Sequence, residues 1–133
     1  MANTVLSPPF TAAQLQSAQS LYSGRIDVAT IRGDTQIDAP TTETDGFAFH
    51  RLNNAIISCL VGSGTVIVTP WVGFASDLDP SIILWNIAPG SGALSLDAEG
   101  GWLFPAGCPD RIAVQVVIDA GSPEFAINLG GFQ

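Results

Sequence analysis

Residues 55–72 read AIISCLVGSGTVIVTPWV, and this stretch carries the strongest indication of the fold class. Two apolar runs rich in β-branched residues, 55–61 and 65–72, stand on either side of the tripeptide GSG at 62–64. Such runs are typical of strands, and a short connection containing glycine is typical of a hairpin. The stretch therefore predicts two strands joined by a tight turn at 62–64.

The remainder of the chain from residue 25 onward repeats this pattern of short apolar runs separated by glycine and proline. Further strands are expected at 25–31, 47–52, 81–88, 93–98, 101–104, 111–119 and 124–129. The turn signals PGSG and AGSP stand at 89–92 and 120–123. About eight or nine short strands with such turns predict an all-β, mainly antiparallel fold. A jelly-roll-like sandwich, an immunoglobulin-like sandwich and a barrel all remain open.

The N-terminal part differs from the rest. Residues 1–10 end in SPPF and predict an extended arm, because a proline pair breaks both helices and central strands. Residues 11–24 predict a capped helix, with Thr11 and Gln14 forming a capping box and Gly24 ending the last turn. The whole chain, 1–133, is expected to be a single β domain, with the sandwich or barrel at 25–133.

The composition is rich in apolar residues and poor in charge. Apolar residues make up 47% and charged residues 12% of the 133, and the net charge is −8. Lysine is absent, and the four basic residues are Arg25, Arg32, Arg51 and Arg111. An acidic chain repels phosphate backbones and anionic lipids, so neither nucleic acid nor membrane is expected as a partner. The excess of apolar residues predicts contact with another subunit.

The first residues, MANTVLSPPF, lack a charged segment followed by an apolar core, so no signal peptide is expected and synthesis in the cytoplasm is predicted. The chain is also poor in the titratable side chains that catalysis uses. Without lysine there is no Schiff-base chemistry, and His50 is the single histidine. We therefore expect no enzyme activity and no cofactor. Cys59 is expected in a buried strand and Cys108 in a loop, and whether the two pair is left open.

Two aspartates are weak candidates for a metal site. Asp77 and Asp79 lie two residues apart before Pro80, where carboxylates could bind calcium weakly. The alternative interpretation is that these side chains cap turns.

The three tryptophans, Trp71, Trp85 and Trp102, allow two interpretations. Tryptophans in a β-rich chain fill cores or subunit contacts, whereas exposed ones could form a platform on which sugar rings stack. The second interpretation makes a carbohydrate-binding module the alternative function.

The tripeptide RGD at 32–34 is a cell-adhesion signal in some extracellular proteins. Here it follows a predicted strand and begins a polar loop, where Gly33 and Asp34 are ordinary turn formers. We therefore interpret it as part of a plain loop.

A small, acidic, lysine-free, glycine-rich β chain with an apolar arm and one short helix resembles small virion structural proteins of tailed bacteriophages. Capsid decoration (cement) proteins and head-fibre β-modules are examples. The resemblance implies a homo-oligomer, with a trimer favoured, that is bound to a capsid shell as a virion component without catalysis. The expected interface residues are Val5, Leu6, Pro8, Pro9, Phe10, Trp71 and Trp102.

Overall fold

The structure, a computed structural model, describes residues 26–88 and 93–133. In these ranges the chain forms seven strands and no helix, which confirms the predicted all-β, mainly antiparallel class. The arm predicted at 1–10 and the capped helix predicted at 11–24 lie outside the described residues. The strands are β1 (Ile26–Gly33), β2 (Phe47–Ala48), β3 (Asn54–Ala75), β4 (Ile83–Ile87), β5 (Leu94–Leu96), β6 (Glu99–Pro105) and β7 (Arg111–Phe132).

The seven strands form one open antiparallel sheet whose main order is β1-β7-β3-β4. The two 22-residue strands β3 and β7 occupy its centre and pair with each other from Asn54↔Phe132 to Gly73↔Arg111. On the far side of β3 lie β4, β5 and β6, each pairing with a different part of it. On the far side of β7 lie β1 and β2. The two long strands therefore organise the whole sheet.

The prediction of a hairpin at 62–64 is wrong. Residues 54–75 form the single strand β3, and its pairing with β7 shifts register between Gly62 and Gly64. Ser63 and Gly64 have positive φ values of 64° and 158°. A bulge and a tight turn both require such backbone geometry, so local sequence does not distinguish them. Here residues 62–64 form a bulge and not a turn, because β7 pairs with β3 on both sides of them.

The turn predicted at AGSP, 120–123, is wrong for the same reason. Residues 111–132 form the single strand β7, within which Gly121 has a φ of +73° and lies opposite Gly64. A second register shift lies between Thr65 and Val66 of β3. Both long strands are thus irregular at the same level of the sheet.

The strand predicted at 47–52 is shorter than expected. Only Phe47–Ala48 is strand, and His50 and Arg51 follow it with φ values of 54° each. The amide of Leu52 donates to the carbonyl of Phe49, which closes a turn. The buried side chains of Phe49 and Leu52 pack over Gly131, where any side chain would overlap them. The turn that buries these two side chains ends the strand.

The predicted strands at 25–31, 81–88, 93–98 and 101–104 are confirmed as β1, β4, β5 and β6, with ends shifted by a few residues.

One continuous apolar core spans the length of β3 and β7. Its largest fully buried side chains are Trp102, Phe49, Phe104, Leu52, Ile56, Ile57, Ile112, Ile127 and Leu129. Each such side chain contributes roughly 1.5–3 kcal/mol of burial free energy. Ile56 and Ile57 point to opposite faces of β3 and both are fully buried. Both faces of the sheet are therefore covered near this end of β3.

Candidate functional site

The edge strand β4 is the part of the described chain that most resembles a contact surface. β4 pairs with β3 along one side, in a register that sets Trp71 opposite Ile87 and Ala75 opposite Ile83. Several apolar side chains in and beside the strand are half exposed, namely Ile82, Leu84 and Ile87 at 50%, 54% and 49%. Leu78, in the loop before it, is 98% exposed. Together we call residues 78–87 the β4 edge.

Trp85 holds β4 against the sheet. Its indole ring lies over Gly73, where an added Cβ would come within 3.0 Å of two ring carbons. The indole Nε1 donates to the carbonyl of Thr42 over 2.9 Å. Because the ring lies over β3, it does not cover the outer side of β4. Glycine at position 73 provides the space for this arrangement.

The loop 41–46 lies over the same face and is fixed by three side chains. Arg111 donates from Nε to the carbonyl of Asp45 over 2.7 Å and from Nη2 to that of Gly46 over 2.9 Å. The Asp45 carboxylate accepts the backbone amides of Thr41 and Thr42, each over 2.8 Å. These two amide bonds lower the pKa of Asp45 below its ordinary value. The loop is therefore organised by its own hydrogen bonds and by Arg111 and Trp85.

Asp110 links three parts of the chain close to the end of β3. Its Oδ2 accepts the amide of Ala75 over 2.7 Å, and its Oδ1 pairs with Arg51 Nε at 3.2 Å. Its own amide donates to the carbonyl of Gly73, and its carbonyl accepts the amide of Phe49. The Arg51 side chain is 77% exposed, so the charge pair itself adds little stability. Asp110 acts as a structural junction.

The two aspartates considered for calcium belong to the loop that leads into β4. Asp79 Oδ1 accepts the hydroxyl of Ser81 over 2.7 Å and its amide over 3.1 Å. These bonds, led by the one from the hydroxyl, lower the pKa of Asp79. Asp79 therefore caps a turn, which matches the alternative interpretation. Within 26–88 and 93–133, no group of three or more histidine, cysteine, aspartate or glutamate side chains could hold a metal ion.

The expected interface tryptophans occupy different environments. Trp102 is fully buried in the core, and its indole nitrogen has no hydrogen-bond partner among residues 26–88 and 93–133. Trp71 is half-buried, and its Nε1 donates to Gln115 Oε1 over 3.3 Å. Trp102 therefore fills the core of a single chain, whereas Trp71 shares one face of the sheet with Trp85. The expected arm residues, 5–10, lie outside the described residues.

The RGD tripeptide spans the end of a strand, in contrast to the plain loop expected for it. Arg32 and Gly33 are the last residues of β1 and pair with Ala126 and Phe125 of β7. Asp34 follows the strand, and all three residues are exposed. They line one side of an open groove of about 740 Å³, together with Leu60–Gly62 and Glu124–Ala126. The groove is lined by one positive side chain, Arg32, by negative side chains, and by the exposed Leu60. None of the residues that line it is a buried polar residue.

The histidine and the two cysteines occupy separate places in the fold. His50 lies in the exposed turn after β2. Both cysteines are free, with Cys59 buried in β3 and Cys108 exposed in a turn, as their sequence context predicts. Burial raises the pKa of Cys59 to about 12, so its thiol stays protonated at neutral pH.

The interface residues named from the sequence do not include the β4 edge, although the two-sided apolar character of residues 81–88 predicts that the helix or a neighbouring subunit covers this strand. The signal was present, because residues 81–88 read SIILWNIA and are apolar at positions that point to both faces. Sequence alone does not say that this run forms an edge strand, which depends on how the sheet is ordered.

Within the described ranges, no helix has the length and apolar character needed to cross a membrane. Comparisons with protein-family models, with curated proteins and with solved structures found no match to this chain.

Proposed function

We propose that this protein is a non-enzymatic structural protein that assembles with copies of itself and with a larger protein shell. The observation that carries the proposal is the β4 edge, where Leu78, Ile82, Leu84 and Ile87 expose apolar surface around one uncharged strand. Exposed apolar side chains that cluster in this way mark protein contact sites. The scarcity of charge in the whole chain supports the same conclusion.

The specific form of the proposal is a capsid decoration protein of a tailed bacteriophage, located on the virion. An acidic chain with a net charge of −8 suits a basic rim on a shell. The N-terminal arm residues Val5–Phe10 would strap neighbouring copies together, with a trimer as the favoured assembly. Trp71, half-buried on the face next to the β4 edge, would contribute to subunit contact.

We further propose that the sheet folds over itself into a sandwich-like arrangement. A straight strand of 22 residues would be ~70 Å long, about twice the diameter of a compact domain of this size. The bulge at 62–64 of β3 lies opposite Gly121 of β7, and bulges bend strands. One core cluster includes Ile57 and Val68 from either side of the bulge, which supports packing between the two halves.

The alternative function is a carbohydrate-binding module. It is favoured by the placement of Trp71 and Trp85 on one face of the sheet, both half-buried. It is disfavoured by their ring nitrogens, which already bond within the chain, and by Trp102, which is fully buried. Binding on a glycan array that is lost in Trp71→Ala would support this alternative over assembly.

The first test is the native mass by multi-angle light scattering, for the full chain and for a chain lacking residues 2–10. The proposal predicts a stable oligomer for the full chain and a smaller species after the deletion. Circular dichroism of both forms checks that the β domain stays folded. A monomer in both cases would contradict self-assembly.

The second test is co-sedimentation with empty shells assembled from the capsid protein of the same virus. A decoration protein is expected to pellet with the shells at a fixed ratio that saturates. Shells treated to neutralise their exposed basic residues serve as the control and should bind less. Failure to pellet with untreated shells would contradict the decoration role while leaving self-assembly in place.

A further inference from the structure

The backbone groups of β4 alternate between its two sides. The amide of Ala88 donates to the carbonyl of Pro70, and the amide of Ser76 donates to that of Ile82. Hydrogen bonding alternates along an antiparallel strand, so Ile82, Leu84, Asn86 and Ala88 face β3. The amides and carbonyls of Ile83, Trp85 and Ile87 therefore point away from the sheet. No strand among the described residues pairs with β4 on that side.

Strand β4 and its immediate neighbours, residues 81–88, lack the features that normally prevent strands from pairing between molecules. Proteins protect edge strands with charged side chains, prolines or bulges. Residues 81–88 contain neither charge nor proline, and β4 pairs with β3 without a register shift. Its half-exposed apolar side chains lie on both faces, with Leu84 on one and Ile87 on the other. The strand is therefore suited to accept another strand.

We propose that β4 pairs with β4 of a second copy of this chain, antiparallel, across a two-fold axis at Trp85. The inference rests on the proposed self-assembly and names the surface and the partner. Centring on Trp85 sets Ile83 opposite Ile87 of the other copy, and Trp85 opposite itself. All the residues with outward backbone groups then meet as hydrogen-bonded pairs, and the two sheets become one.

Charge favours a second copy over a basic partner at this surface. A basic protein would be expected to contact carboxylates, and residues 81–88 contain none. Two copies that each carry a charge of −8 repel each other, so they approach best through an uncharged strip. The acidic loop with Asp77 and Asp79 precedes β4 at one end only. Antiparallel pairing places the two loops at opposite ends of the seam, whereas parallel pairing would set them side by side.

The two-fold contact adds to the three-fold contact proposed for the N-terminal arm. A three-fold and a two-fold contact that share one closed assembly produce a hexamer. Removing the β4 contact alone should therefore halve the native mass.

The test compares Leu84→Lys with Leu60→Lys by light scattering of the full chain at about 100 µM, well above a micromolar Kd. The two leucines have similar exposure, 54% and 61%, but Leu60 lies on β3 away from the β4 edge. We expect Leu84→Lys to halve the mass and Leu60→Lys to leave it unchanged. Equal circular dichroism spectra and melting curves would verify that both variants are folded.

A cross-linking experiment checks the register. In a Cys108→Ser background, Leu84→Cys and Asn86→Cys are oxidised separately and as a mixture. The proposed axis sets residue 84 of one copy opposite residue 86 of the other, with Cα atoms ~4.5 Å apart. Residue 84 is ~7–8 Å from its own counterpart, which exceeds the usual reach of a disulfide. The mixture should form a disulfide dimer, and neither variant alone should do so efficiently.

The outcomes separate this inference from the proposed function. A monomeric wild-type chain would overturn both. An oligomer whose mass is the same in Leu84→Lys as in wild type would overturn only the β4 pairing. Rapid cross-linking of Leu84→Cys with itself would overturn the axis at Trp85. An oligomer that dissociates equally in Leu60→Lys and Leu84→Lys would also overturn the specific role of β4.

Discussion

At the scale of single residues, a few side chains fix loops to the sheet. Trp85 joins β4 to the loop 41–46, and Arg111 joins the same loop to β7. Asp45 supplies the third set of bonds within the loop itself. Each of these contacts can be removed singly, so each can be tested by one substitution.

We expect Trp85→Phe to lower the free energy of unfolding by about 1 kcal/mol, because it removes one hydrogen bond and keeps most of the ring packing. Urea denaturation followed by circular dichroism measures this change. Trp71→Phe is the matched control, since Trp71 donates to the side chain of Gln115 over 3.3 Å and not to the backbone. A larger loss in Trp71→Phe than in Trp85→Phe would contradict the role given to the Thr42 contact.

Asp45 should make stability depend on pH in the acid range. Its folded pKa lies below the ordinary value of 3.8, with the amides of Thr41 and Thr42 as the main cause. Its contribution is therefore fully present above the unfolded pKa and is lost as the pH falls through the folded pKa. Melting temperatures measured between about pH 5 and pH 2 should fall less steeply in Asp45→Asn than in wild type. A slope in Asp45→Asn equal to that of the wild type would contradict the role given to the two amide bonds.

At the scale of elements, the irregular centre of β3 and β7 is the most demanding feature. Gly64 has a φ of +158°, and a side chain there would overlap the carbonyl oxygen of Ala120. Gly62, two residues earlier, has no heavy atom within 4 Å of the position a Cβ would take. The two glycines of one tripeptide therefore have different roles.

We expect Gly64→Ala to destabilise the fold by roughly 1–3 kcal/mol through backbone strain and overlap. Gly62→Ala should be neutral or slightly stabilising, because it restricts the unfolded chain. Thermal or urea unfolding of both variants measures the difference. Equal effects of the two substitutions would show that residues 62–64 do not form the bulge described.

At the scale of the whole molecule, the net charge and the exposed apolar surface are expected to have opposite effects on self-association. A net charge of −8 repels a second copy, whereas the pairing proposed at the β4 edge would bring two copies together. Salt screens the electrostatic repulsion between copies. It does not screen the contact between apolar strands. The balance between the two effects should therefore respond to ionic strength.

We predict that self-association becomes stronger when NaCl is raised from ~0.1 M to ~1 M, which shortens the Debye length from ~10 Å to ~3 Å. Sedimentation velocity over a dilution series measures the change in dissociation constant. An assembly held by ion pairs would weaken over the same range. In Leu84→Lys the step from trimer to hexamer should be absent at both salt concentrations, because the β4 contact is lost.

The sequence by itself determined the all-β class and the places of β1, β4, β5 and β6. These properties depend on neighbouring residues, through strand periodicity and the conformational freedom of glycine. Only the tertiary structure decided that 54–75 and 111–132 are single strands, because a bulge becomes distinct from a turn through the partner strand. It also decided that β4 is an edge and that Trp102 is core, since both depend on pairing between residues far apart in the chain.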